Sequence, residues 1–91
     1  MIRSFRSKAL QTLWSSGSAA RLDTKLVGRI KVRLSMLDAA AVPGDMEQPG
    51  FDYHPLRGKP QRYTVHINGP WCITFGWDGN DAIQVDLENY H

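Results

Sequence analysis

The 91-residue chain has a single cysteine, Cys72, so it has no internal disulfide to staple its fold. A lone cysteine fits a reducing compartment, with an intermolecular bridge left open. Long apolar runs are missing too. The longest, Ala39 to Val42, is far below the ~20 residues that cross a bilayer. Behind the N-terminal residues 1–6 there is no apolar stretch of signal-peptide length. The expectation is a soluble, cytoplasmic protein with no membrane contact. Three histidines, one cysteine and scattered carboxylates show no zinc-ligand spacing, so no metal is expected. No glycine-rich loop of phosphate- or dinucleotide-binding form occurs, and no cofactor is expected. Internal repeats and low-complexity segments are absent.

What remains is an ordinary globular balance: 42% hydrophobic, 10% aromatic and 22% charged residues. A chain this short makes one domain, residues 1–91, and buries only roughly 60–65% of its unfolded surface. The net charge of +2 hides an asymmetry. Residues 1–40 carry eight Lys or Arg against two acids, and residues 41–91 carry three against seven. Such a chain can present a basic face to nucleic acid. The same asymmetry also describes a solvated helix beside an acidic sheet edge.

The first half has helical period. Ser7 can cap a helix over residues 8–16, with Leu10, Leu13 and Trp14 on one face and Gly17 beyond. Asp23 suits the cap of a longer helix with the stripe Leu26, Val27, Ile30, Leu34 and Leu37. Lys25, Arg29 and Arg33 form a basic row beside that stripe, a candidate contact for RNA as well as an ordinary solvated face. Val42-Pro43-Gly44 stops the helix, and residues 43–50 read as a polar loop. Residues 2–6, broken by Arg3 and Arg6, suit at most an edge strand.

The second half changes to period two. Tyr63, Val65 and Ile67 alternate with polar residues before the hairpin signal Asn68-Gly69. Trp71, Ile73, Phe75 and Trp77 follow, then a turn over residues 78–81, then Ile83, Val85 and Leu87. Three strands in hairpin order make an antiparallel meander. Its apolar face can take the helical stripe, giving an α+β domain with two N-terminal helices on a sheet. The tryptophans, Trp14 included, are placed with the apolar faces. The other face of the sheet carries His66, Cys72, Thr74, Asp86 and Glu88.

One local run stands out: His54-Pro55-Leu56-Arg57-Gly58. Pro55 pushes His54 to an extended backbone, and Gly58 permits a sharp turn. An imidazole and a guanidinium three residues apart can approach one phosphate, although the run also describes a plain surface turn. The C-terminal Glu88-Asn89-Tyr90-His91 follows directly from a strand. RNA cleavage needs a base for a 2′-hydroxyl, an acid for the leaving oxygen, and positive charge for the phosphate. His54 or His91 can serve as base or acid, Tyr90 can donate a proton or stack a base, and Arg57, Lys59 or Arg62 can hold phosphate. Cys72 has no triad around it and is not read as a nucleophile.

Met1-Ile2-Arg3-Ser4-Phe5, the run at 54–58, Trp71-Cys72-Ile73-Thr74-Phe75 and the terminal Tyr90-His91 resemble the HigB-type plasmid-maintenance killer toxins of the RelE superfamily. The resemblance runs from first residue to last. It implies two N-terminal helices on a curved antiparallel sheet, and a metal-independent endoribonuclease that cuts messenger RNA on the ribosome. It also implies a helix-turn-helix antitoxin of HigA type as partner, with operator DNA met only through the antitoxin. By position, His54, Tyr90 and His91 match the family's active-site residues. Arg57 stands where the family has Lys, and Asn89 where it has Asp. Cys72 stands in the place of a phosphate-reaching Arg. The resemblance therefore implies an attenuated or inactive toxin, since losing one preorganised charge typically costs ~10²–10³ in rate. Two other readings stay open: a ParE-like poison of DNA gyrase, and a non-catalytic RNA-binding module using the basic row.

Overall fold

Ser7 opens the first helix by accepting a hydrogen bond from the Leu10 backbone N–H. The helix, α1, spans Lys8–Ser16 and closes at Gly17, whose φ of 79° is left-handed and suits a residue without Cβ. Asp23 caps α2, Thr24–Ala39, through the Lys25 N–H. The computed structural model describes residues 1–89 in this way. Tyr90 and His91, two of the expected site residues, lie outside the described residues.

Four strands follow: β1 His54–Leu56, β2 Arg62–Asn68, β3 Trp71–Asp78 and β4 Asp81–Asn89. They pair antiparallel in the order β1-β2-β3-β4. The α+β architecture expected from the sequence is the one observed. Leu10, Leu13, Leu26, Ile30, Leu34 and Leu37 from the helices meet Val65, Ile67, Ile73, Phe75 and Val85 from one face of the sheet. Burial of these side chains is worth about 1.5–3 kcal/mol each before entropy is counted.

Residues 2–6 do add an edge, and the pairing is parallel. Ile2 bridges Ala82 and Phe5 bridges Val85. The Arg3 N–H donates to the Ala82 carbonyl at 2.8 Å, and the Ile2 N–H donates to Asp38 of α2 at 2.8 Å. The free edge of β4 is thereby covered, which removes an aggregation-prone row of open backbone groups.

Three expectations are corrected. The alternation of β4 breaks at Gln84, whose φ is 49° and which sits in a register shift opposite β3. The extra residue turns Ala82 into the core in place of Ile83. Ile83 lies on the opposite face, where a Cβ on Gly76 would come within 3.2 Å of it. The segment read as a polar loop holds a short 3-10 turn, Pro43–Met46, with Met46 fully buried and Phe51 buried shortly after. Trp14 is 38% exposed, whereas Trp71 and Trp77 pack against the core. Two leucines already fill the α1 face that meets the sheet, so Trp14 one residue beyond Leu13 turns outward.

Candidate active site

A cleft of about 180 Å³ opens on the face of the sheet away from the helices. Its floor is Thr64 and His66 of β2 with Cys72 of β3. One wall is Asp52 and His54, and the other is Gly69-Pro70 of the β2–β3 hairpin. Strand register explains the grouping. His54 pairs with Thr64, Thr64 with Thr74, and Thr74 with Asp86. The next row is His66, Cys72 and Glu88. Directly opposed residues share a face, so these two rows form one polar layer.

His54 reaches the cleft because β1 is anchored from the other side. Tyr53 stacks on Tyr63 at 6.0 Å, and Tyr63 on Phe75 at 5.6 Å. That aromatic ladder faces the core, so the next residue, His54, must face away. Asp52 adopts a left-handed φ of 46°, and its carbonyl lies 2.9 Å from His54 Nδ1. A carbonyl only accepts, so Nδ1 carries the proton in neutral His54 and Nε2 carries the lone pair. That is the tautomer a general base requires.

His66 is held at three points. Its N–H donates to the Phe51 carbonyl at 2.6 Å, and its carbonyl accepts from Arg33 Nε at 2.7 Å. Its ring Nε2 lies 2.9 Å from the Gly69 carbonyl. Arg33 also packs over the Phe51 ring at 4.2 Å, and its Nη1 donates to the Arg29 carbonyl. Arg29 in turn donates to the Ile67 carbonyl at 3.2 Å.

The expected basic row is therefore corrected at Arg33, which is only 8% exposed and spends its guanidinium on the fold. Burial, with neighbouring Arg29 adding to it, lowers its pKa. The signal was in the sequence: position 33 falls on the stripe of Leu26, Ile30 and Leu37. Arg29 is exposed but tied to β2, while Lys25 is exposed at the start of α2.

The expected phosphate contacts separate. Arg57 and Lys59 are exposed in the β1–β2 turn and do not line the cleft. Arg62 lies on the polar face, where its Nη2 donates to Thr74 Oγ1 at 3.0 Å and to the Gln84 carbonyl at 2.9 Å. Thr74 passes the chain on by donating to Glu88. Cys72 is buried, with its thiol 3.6 Å from the Glu88 carbonyl. Burial pushes the thiol pKa up and Glu88 and Asp86 add to that, while the Thr64 hydroxyl beside it pulls the other way. A protonated buried thiol is a poor nucleophile. Asn89 closes β4 opposite Trp71. Among the described residues no cluster of His, Cys, Asp or Glu suits a metal ion. No helix among them is long and apolar enough to cross a membrane.

Two helices on a four-stranded antiparallel meander, with a histidine cleft on the open face, define a class that sequence comparison identifies. Residues 3–91 match the HigB-like toxins, described as the RelE-like toxin HigB of type II toxin-antitoxin systems, and the chain belongs to that family. It is similar to the endoribonuclease HigB of Proteus vulgaris, at 33% identity over 92 residues with 100% of each chain covered.

Proposed function

We propose that this toxin is a ribosome-dependent endoribonuclease of the cytoplasm that cuts messenger RNA and is neutralised by a helix-turn-helix antitoxin of HigA type. Operator DNA is then met only through the antitoxin. The observation that carries the reading is His54: an imidazole at a cleft on the open face of the sheet, with Nδ1 tied to a carbonyl and Nε2 left basic. The relative's endoribonuclease activity supports the same chemistry.

His54 takes the proton of a 2′-hydroxyl as that oxygen attacks phosphorus. Tyr90, His91 and Asn89 are the candidates from the C-terminal end for contacts to base, phosphate and leaving oxygen. Arg57, Lys59 and Lys25 are exposed cations that meet the RNA backbone or the ribosome outside the cleft. Arg62 faces the same side and gives the sheet surface positive charge.

Cys72 makes the chain an attenuated toxin. It adds a neutral thiol to the cleft floor where an arginine would add fixed charge. The test is induction from a tightly repressed promoter, with messenger ends mapped by primer extension. Expected is slow growth with new messenger ends that vanish when translation initiation is blocked. DNA damage without messenger cleavage overturns the reading in favour of gyrase poisoning. Tight, salt-sensitive binding to free RNA without cleavage overturns it in favour of a binding module.

A further inference from the structure

We propose that Arg62 is a positioning residue for the reaction: it clamps a bulge in β4 that sets the facing of the strand's C-terminal end beside the cleft. The inference rests on the ribonuclease reading above, in which Asn89, Tyr90 and His91 meet the substrate. Arg62 itself is not among the described residues that line the cleft. It acts through β4.

β4 runs in two registers. Next to the turn, Asp78 pairs with Asp81, Trp77 with Ala82 and Gly76 with Ile83. Carried on unbroken, that register would set Thr74 opposite Val85 and Cys72 opposite Leu87. Val85 and Leu87 would then lie on the cleft face, and Asp86 and Glu88 would turn into the apolar core, because a slip of one residue exchanges the faces of a strand. The observed pairs are Thr74 with Asp86 and Cys72 with Glu88. The extra residue is absorbed at Gln84, whose left-handed φ of 49° is uncommon for a residue with a side chain. Every described residue beyond Gln84 therefore owes its facing to the bulge, up to Asn89, which leads directly into Tyr90 and His91.

The bulge is held from two directions. At the outer edge, Ser4 Oγ accepts from the Gln84 N–H at 2.8 Å, and Arg6 donates to Gln84 Oε1 at 3.2 Å. Across the sheet, Arg62 Nη2 donates to the Gln84 carbonyl at 2.9 Å. Arg62 starts on β2 opposite Gly76 and crosses β3 there; a Cβ on Gly76 would stand 3.7 Å from its Nη1. The same Nη2 donates to Thr74 Oγ1 at 3.0 Å, and Thr74 donates to Glu88. The direction of this relay is forced, since a guanidinium only donates, a hydroxyl does both and a carboxylate only accepts. Thr74 is fully buried, which strengthens the relay by keeping water from it. The Cys72 thiol adds a weak contact to the Glu88 carbonyl. One guanidinium thus fixes the bulge and, through Thr74, the last acid before the C-terminal residues.

The experiment reads register and chemistry separately. Amide hydrogen exchange, followed by NMR, compares residues 86–89 with residues 81–83 in the parent, Arg62→Gln, Thr74→Val and Thr74→Ser. Single-turnover messenger cleavage is measured for the same set, with Cys72 kept and with Cys72→Arg, as a saturated rate and a half-saturating ribosome concentration. In either background that cleaves, Arg62→Gln and Thr74→Val should lower the saturated rate about 10²-fold and move half-saturation by less than about threefold. Both should speed exchange beyond the bulge and leave residues 81–83 protected. Thr74→Ser keeps the hydroxyl and should match the parent in every measurement. The double variant of Arg62→Gln with Thr74→Val should be no slower than the slower single variant, because both cut one chain. A rate lost in Arg62→Gln while Thr74→Val behaves as the parent and exchange is unchanged overturns the positioning role in favour of a direct phosphate contact. Cleavage by Arg62→Gln at the parent's rate overturns it too, and leaves the ribonuclease reading standing. Protection lost along the whole of β4 also overturns it, since Arg62 then serves the fold at large. No cleavage in either background sinks the ribonuclease reading, and the role of Arg62 falls with it whatever exchange shows.

Discussion

The two faces of the sheet bury side chains to a similar depth by different means. On the helix side, Val65, Ile73, Phe75 and Val85 are sealed by leucines and isoleucine from α1 and α2. On the other side, Thr64, Cys72 and Thr74 are 2%, 3% and 0% exposed, and no helix covers them. They are roofed by longer side chains on the same layer, Arg62, His66 and Glu88, and by the wall at Asp52 and His54. The first face is stabilised by apolar area, which tolerates many residues of similar volume. The second is held by oriented polar contacts, and such contacts are specific about which residue makes them. Stability should therefore answer to mutations on one face and chemistry to mutations on the other.

The largest expected effect tests the chemical side. His54→Gln should lower messenger cleavage by roughly 10²–10⁴, the usual worth of a general base. Its melting temperature should stay near that of the parent, because His54 is exposed. A variant that loses activity only by unfolding would break the division between the faces. Next comes Cys72→Arg, expected to raise cleavage by about 10²–10³ under tight repression. A revertant no faster than the parent would show that the neutral thiol attenuates nothing. On the apolar face, Leu34→Ala should cost about 2–5 kcal/mol in urea denaturation, as Leu34 is wholly buried. Its activity per folded molecule should be unchanged. Smaller again is Ser7→Ala, which removes one helix cap and should cost about 1 kcal/mol in the same measurement.

The apolar side was legible in the sequence because periodicity reports burial directly. Ser7 and Gly17 bracket α1, Asp23 starts α2, and the alternation of residues 63–67 and 71–77 marks β2 and β3. Periodicity failed where the backbone departs from regular geometry. No residue type demands a bulge at Gln84, so period two alone puts Ile83 on the core face that Ala82 occupies. Met46 and Phe51 were missed because a lone apolar residue in a polar stretch carries no period. The polar side was legible only in part. Pro55 made His54 conspicuous through its effect on the preceding backbone. Asp52 and Gly69 act through carbonyl oxygens, which any residue has, so composition cannot flag them. His66 was visible on the polar face, but its partners at Phe51 and Arg33 come from distant segments. Arg33 looked like one more surface cation until the fold placed it under β2.

The smallest expected effect lies where the two kinds of burial meet, at the Cys72 thiol. Its pKa in the folded chain is raised above the ordinary value, first by burial and then by Glu88 and Asp86, against the opposing pull of Thr64. The charged form of a thiol is the deprotonated one, so a raised pKa means that folding disfavours thiolate. Below pH about 9 the thiol is neutral in both states and the contribution is fully present. As pH rises from there toward the folded value, the unfolded chain ionises first and stability is lost. Tyr53 adds a loss of the same sign at higher pH, because burial, then Tyr63 and Glu47, raise its pKa as well. The two must be separated by variants: Cys72→Ala should flatten the fall in urea midpoint between pH 8 and pH 10, and Tyr53→Phe should flatten only the part above it. A Cys72→Ala chain with the parent's full slope would mean that the thiol is solvated, and that the polar layer above it is open to water rather than closed by its side chains.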